Sequence, residues 1–243
     1  MKKLLSIWLK ITLVIFIFNC GGSPELLNQN ILVEKFLNSN QLENRNGVSF
    51  LRGSNEPFSG GIKDSSGTIL KHEGHYRDGL KDGIWVYYYD NGKVRQEGVF
   101  QNNTKNGSWI TYDGNSTKTS LEQYRNDILD GLSEEYKLII KRRVSYKMGK
   151  KQGSYSELNQ ENQLSSEGTY KDDKKDGIWN EIVEDGYRDY TTYSNGIKQG
   201  LYTRVFPSGR TQVSGNFKGG KKDGDWTHKT EAGQILQQRS YTN

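Results

Sequence analysis

"YRDGLKDGIWVYYYDNGKVRQEGVF", residues 76–100, begins and ends on an aromatic residue. Gly83 stands seven residues after Tyr76, with Trp85 two further on; Gly107 and Trp109 stand at the same offsets from Phe100. The series continues through the chain. Aromatic residues recur at Tyr76, Phe100, Tyr124, Tyr146, Tyr170, Tyr193, Phe217 and Tyr241, at spacings of 24, 24, 22, 24, 23, 24 and 24. A glycine follows each of the first seven after seven residues. Two positions beyond those glycines lie Trp85, Trp109, Ser133, Tyr155, Trp179, Tyr202 and Trp226. Gly60 marks one earlier unit, so eight copies cover residues 60–243. A fixed period of this length is the mark of a stacked repeat architecture.

Each period reads as two short strands. In "GIWVYYYDNGKVRQEGVF" the Asn91-Gly92 pair predicts a two-residue type I′ turn, which needs positive φ at both positions. Folding there sets Trp85 opposite Gly98 and Tyr87 opposite Gln96. A turn at Ser208-Gly209 sets Tyr202 opposite Gly215, and one at Glu161-Asn162 sets Tyr155 opposite Gly168. A bare cross-strand glycine leaves a gap that a large ring can cover. Trp85, Gly98, Trp109, Tyr155, Gly168, Trp179, Tyr202, Gly215 and Trp226 are therefore expected to define the repeat, with the rings serving as its core. Pairs such as Asp78-Gly79, Asn195-Gly196 and Gly219-Gly220 reverse the chain between units.

Composition supports a thin structure. Of 243 residues 32% are hydrophobic, against roughly 45–50% in an average soluble domain, and the mean hydropathy is −0.87. Disorder is disfavoured by 12% aromatic residues and only 3 prolines. The net charge of +5 does not point to nucleic acid. Lys2, Lys3 and Lys10 lie in the first twenty residues, and without them 31 basic residues face 29 acidic ones, interspersed rather than gathered on one face. Cys20 is the only cysteine, which excludes an internal disulfide and a multi-cysteine metal site.

"MKKLLSIWLKITLVIFIFNCGGSPE" opens with a positive start, an apolar run ending at Phe18, and then Cys20 with small residues after it. Ile11 to Phe18, the longest unbroken apolar stretch, is far shorter than the roughly 20 residues that span a bilayer. A secretory signal is the better reading. The segment resembles a bacterial lipoprotein signal over residues 1–19, with "IFNC" as the lipobox, although Phe18 is bulky and Asn19 polar. That resemblance implies lipidation at Cys20 and a membrane anchor in the bacterial cell envelope. Gly21, which is not an inner-membrane retention aspartate, directs the expectation to the outer membrane. Residues 20–46 are expected as a tether or short helix, and 47–59 as an N-terminal cap strand running from Val48 to Leu51.

The recurring pieces "GIWVYY", "NGK", "EGVF" and "KNG", and later "GIWNEI", "EGTY" and "KKDG", resemble the MORN repeat. They are most similar to the bacterial variant found in many lipoproteins and in YwqK-type antitoxin proteins. The resemblance covers about residues 57–243. It implies an all-β fold, an elongated single-layer antiparallel β-meander of about eight hairpins. At about 4.8 Å per strand such a sheet would span roughly 75 Å. It also implies a non-enzymatic role in contacting other molecules: a partner protein or the envelope, a toxin in the antitoxin-like alternative, or lipid headgroups. The nearly neutral mature charge disfavours the last of these. Open terminal strands add self-association through the sheet edges.

One unit departs from the pattern. "GLSEEYKLIIKRRVSYKM" is two residues short, carries Ser133 in place of a ring, and has no turn glycine. Pairing Ser133 with Val144 sets Glu134 opposite Arg143 and Glu135 opposite Arg142, both favourable. It also leaves Leu138 and Ile139 at a hairpin tip. Leu138, Ile139 and Ile140 are the candidate partner contact, unless a shifted register buries them. Asp172, Asp173 and Asp176 lack the spacing and terminal glutamate of a calcium loop. His72 and His75 share a strand but join no nucleophile–base–orienter set. No catalytic residue, metal or cofactor is expected.

Overall fold

The structure, a computed structural model, describes residues 36–243. The signal segment, Cys20 and most of the expected tether lie outside the described residues.

Strands β1 (Leu42–Arg45) and β2 (Val48–Leu51) form a two-stranded sheet of their own. All the repeat strands join one sixteen-stranded antiparallel sheet, each bonded to its neighbours in chain order. Its first four hairpins are β3 (Gly60–Ser66) with β4 (Ile69–Arg77), β5 (Leu80–Tyr88) with β6 (Val94–Gln101), β7 (Thr104–Tyr112) with β8 (Lys118–Arg125), and β9 (Ile128–Tyr136) with β10 (Lys141–Lys147). The last four are β11 (Lys150–Leu158) with β12 (Leu164–Lys171), β13 (Lys174–Ile182) with β14 (Arg188–Ser194), β15 (Ile197–Val205) with β16 (Thr211–Lys218), and β17 (Lys221–Lys229) with β18 (Ile235–Tyr241). The all-β single-layer meander of eight hairpins is what the chain adopts.

Trp85 pairs with Gly98, Tyr155 with Gly168 and Tyr202 with Gly215. The turns differ from the expected type. Gly92 donates to Tyr89 O (3.0 Å) and Tyr89 N donates to Lys93 O (2.8 Å), enclosing three loop residues. Gly92 has φ +78° and Asn91 is not left-handed. This is a type I turn closed by a left-handed residue. The register survives because Arg95 is bulged out between the Tyr88–Val94 and Tyr87–Gln96 pairs. The additional loop residue and the bulged residue offset one another.

That pairing of irregularities accounts for the repeat lengths. Twenty-four-residue units have both the three-residue loop and the bulge. The 23-residue unit of β13–β14 keeps the loop without the bulge. The 22-residue unit of β9–β10 lacks both. Type I′ turns do occur, but between units: Asp78-Gly79, Asn102-Asn103 and Asn195-Gly196 all have positive φ at both positions.

The N-terminal cap is a hairpin rather than one strand, and residues 42–45, expected in the tether or short helix, are its first strand. The cause is Asn46-Gly47, at φ +52° and +85°, which is the dipeptide a type I′ turn favours. Leu42 is consequently buried beside Ile62 and Trp85. Upstream, Leu37 donates to Gly61 O (3.0 Å) and accepts from Lys63 N (2.8 Å), covering the outer edge of β3.

Candidate functional site

In four of the units the core is an indole lying on a glycine. At the junction of β4 and β5, His75 pairs with Asp82 but Glu73 pairs with Val86. Gly83, Ile84 and Trp85 thus oppose Gly74 alone. Gly83 opens this bulge at φ +80°, a conformation that costs a side-chain-bearing residue about 1–2 kcal/mol. The bulge turns the Trp85 ring back over Gly74, where a β-carbon would collide with the indole. Trp85 Nε1 donates to the His75 carbonyl at 3.1 Å. Trp109 lies likewise on Gly98, Trp179 on Gly168 and Trp226 on Gly215, each donating to a carbonyl at 3.1 Å.

This corrects the expected ring–glycine assignment. Trp85 is Gly98's ladder partner, yet the ring against Gly98 belongs to Trp109. Gly168 and Gly215 are likewise covered by Trp179 and Trp226, not by Tyr155 and Tyr202. These two tyrosines stand where the preceding strand supplies Val144 and Thr191 in place of glycine, and both of those side chains are buried.

A lysine two residues before each junction glycine reaches over the rings. Lys81, Lys105, Lys175 and Lys222 place Nζ 4.3, 4.3, 4.1 and 4.3 Å from the Trp85, Trp109, Trp179 and Trp226 ring centres. Burial pushes the Lys81 ammonium below its ordinary value. The rings are thus covered by glycine backbone on one side and ammonium on the other, and the four indoles are almost fully buried. The aromatic stripe is a core and leaves little ring face for a ligand.

The exception is the β9–β10 hairpin. Its register is the unshifted one: Ser133 pairs with Val144, Glu134 with Arg143 and Glu135 with Arg142. Leu129 takes the lysine position and Ser133 the ring position. The ring–ammonium stack is interrupted there: on its face Val144 stands opposite Ser133 and Arg142 pairs with Glu135, while Glu134 and Arg143 pair on the opposite face. Arg143 Nε lies 2.6 Å from Glu134 Oε1, and Lys118 Nζ is 3.8 Å from Glu134 Oε2. Burial opposes ionisation of Glu134, but hydrogen bonds from Tyr136 and Arg143 hold its carboxyl below the usual range. Arg142 bridges Glu135 (3.1 Å) and Glu157 (2.7 Å).

At its end Lys137 N donates to Ile140 O at 2.8 Å, leaving Leu138 and Ile139 as the two tip residues. Neither has positive φ, so the turn is not the primed type that matches strand twist. Leu138 is 99% exposed and Ile139 58%. Ile140 is half-buried beside a 180 Å³ hollow that reaches Asn159, Gln160 and Asn162. The aspartates considered for calcium serve the turns: Asp173 Oδ1 accepts from Lys151 N (2.8 Å) and Asp176 Oδ1 from Asn195 N (3.3 Å).

Among known families, the MORN repeat variant matches residues 81–102. No curated protein matches the chain. The matched segment runs from Lys81, over the Trp85 ring, to the turn residue Asn102, and its geometry recurs along the sheet. MORN-repeat character is thereby supported, and such repeats are generally linked to protein or membrane interactions.

Proposed function

We propose that this is a non-enzymatic, lipid-anchored protein of the bacterial cell envelope whose repeat sheet binds a partner protein through the tip of the fourth hairpin. The supporting observation is Leu138: the most exposed large apolar side chain among the described residues, held at the end of two hydrogen-bonded strands. Burying one such side chain at an interface contributes about 1.5–3 kcal/mol, and rigid strands keep the ordering cost low. The surrounding cations are largely answered by Glu134, Glu135 and Glu157, which favours an apolar protein pocket over an anionic bilayer. The lipid anchor rests on the lipoprotein-like signal ending at Cys20.

The test is a photo-crosslinking amino acid in place of Leu138 in intact cells, with the same substitution at Asn91 on the second hairpin as control. A discrete protein adduct at 138, absent at 91 and lost on Lys137→Glu, is expected. Cys20→Ala should release the protein from the membrane fraction. An identical adduct pattern at both positions, or none at 138, would reject the tip as the contact.

A further inference from the structure

The β13–β14 hairpin keeps its three-residue loop without the compensating bulge, and its turn is shifted by one residue. Tyr187 N donates to Glu184 O (3.3 Å), and both Asp185 and Gly186 are left-handed, at φ +57° and +79°. In the other three-residue loops only the last residue is left-handed. Beside this turn opens a trough of about 630 Å³, lined by Val183, Glu184, Asp185, Tyr187, Arg204 and Gln212. Its volume lies in the range of ligand sites.

We infer that this trough is a binding site for a neutral oligosaccharide. Asp189 grips Arg204 side-on, through Nε at 2.7 Å and Nη2 at 2.9 Å. A side-on grip fixes the guanidinium plane and leaves the two Nη1 hydrogens for another acceptor. Glu184 and Asp185 are exposed on the loop, where their carboxylates accept hydroxyl hydrogens. Gln212 is the residue bulged out of β16, and its amide both donates and accepts. The half-buried Tyr187 ring, 5.5 Å from Phe206 and tilted 46° to it, supplies an apolar face. Charge selects the ligand class: Glu184, Asp185 and the backing Asp189 outnumber Arg204, so an anion is repelled, while a cation meets the guanidinium. An open trough cannot bury a small apolar ligand. A sugar brings hydroxyl edges for the polar groups and a C–H face for the ring. The site is separate from the fourth-hairpin tip and stands or falls without it.

The experiment is saturation-transfer NMR on the full chain with N-acetylchitotetraose, cellotetraose and maltotetraose, and a heparin tetrasaccharide as anionic control. Transfer to the C–H protons of at least one neutral tetrasaccharide is expected, with none to the heparin fragment. It should fall at least fivefold in Tyr187→Ala and persist in Tyr89→Ala, the aromatic position beside the second-hairpin loop. Gln212→Ala, on the trough wall, should weaken it as well; near-UV circular dichroism verifies that each variant is folded. Absence of transfer to all three neutral sugars would overturn the inference, as would undiminished transfer in folded Tyr187→Ala or stronger binding of the heparin fragment.

Discussion

The indole of Trp85 rests on the α-carbon of Gly74, eleven residues earlier, and not on Gly98, its partner across the ladder. The same offset joins Gly98 to Trp109, Gly168 to Trp179 and Gly215 to Trp226. Where the ring is a tyrosine, the residue eleven earlier is Val144 or Thr191. Indole and glycine therefore form one unit of packing. Gly98→Ala is expected to cost about 1–3 kcal/mol in urea unfolding, because the added methyl displaces a ring that cannot retreat. Trp109→Tyr should recover part of that loss in the double variant, with a coupling of about 1 kcal/mol. Strictly additive costs would contradict the pairing.

The two sides of the sheet use different turns, and substitution separates them. Gly209 is left-handed at φ +85°, whereas Ser208 is not. Gly209→Ala should cost about 1 kcal/mol, and Ser208→Ala should fall within about 0.5 kcal/mol of the parent. At the unit junction Asn195 is left-handed at φ +54°, so Asn195→Ala should cost about as much as Gly209→Ala. Equal costs at 208 and 209 would restore the two-residue turn.

Much of this was legible in the sequence because the repeat repeats its errors consistently. The ladder partners of Trp85, Tyr155 and Tyr202 came out right from a wrong turn, since the loop residue and the bulged residue cancel in the register. What could not be read by alternation was the junction bulge. There Gly83, Ile84 and Trp85 share a single opposing residue, and strict two-residue periodicity sends the ring to the wrong strand. A signal did exist: the eleven-residue glycine–tryptophan spacing, absent wherever the ring is not tryptophan. Asn46-Gly47 was a second readable signal, for the cap hairpin. The fourth-hairpin tip was legible because opposite charges fix its register. The trough beside Tyr187 was not, because it depends on a bulge that is missing.

The Glu134–Arg143 pair, on the face opposite the rings, tests what charge contributes to the fourth unit. Glu134 is only 5% exposed and keeps Tyr136 and a more distant Lys118 as partners if Arg143 is removed. Arg143→Gln should cost about 1 kcal/mol at pH 7, a modest figure because the arginine is itself half exposed. The Glu134 carboxyl is held below its ordinary value of 4.5. The pair's contribution is therefore complete above that value and is lost as pH falls through the depressed one. The gap between parent and variant should narrow as pH falls below 4.5 and close once pH is below the depressed value; a gap that does not narrow with acidification would mean the arginine acts by packing alone.

His72 governs a second pH window, at the first unit. Its ring stacks on Trp85 and leans on Tyr87, each at 5.8 Å. Burial lowers its pKa from 6.5, the nearby Lys81 ammonium adds to that, and Asp64 opposes it. Asp64 is also bound by Ser39, so the groups facing the imidazole belong to β3, to β5 and to the segment before β1. A depressed histidine favours the neutral form when folded. Its stabilisation is present above pH 6.5 and is lost as pH falls from there through the folded pKa. Urea stability should accordingly decline below pH 6.5 in the parent and stay level over that interval in His72→Gln. Because Asp64 ties the imidazole to Ser39, the loss should surface at the covering segment first, as faster hydrogen exchange of the Leu37 amide bound to Gly61 O. Leu37 exchange that tracks global unfolding at every pH would show that the segment and the sheet open together, and would remove His72 from any local control of that edge.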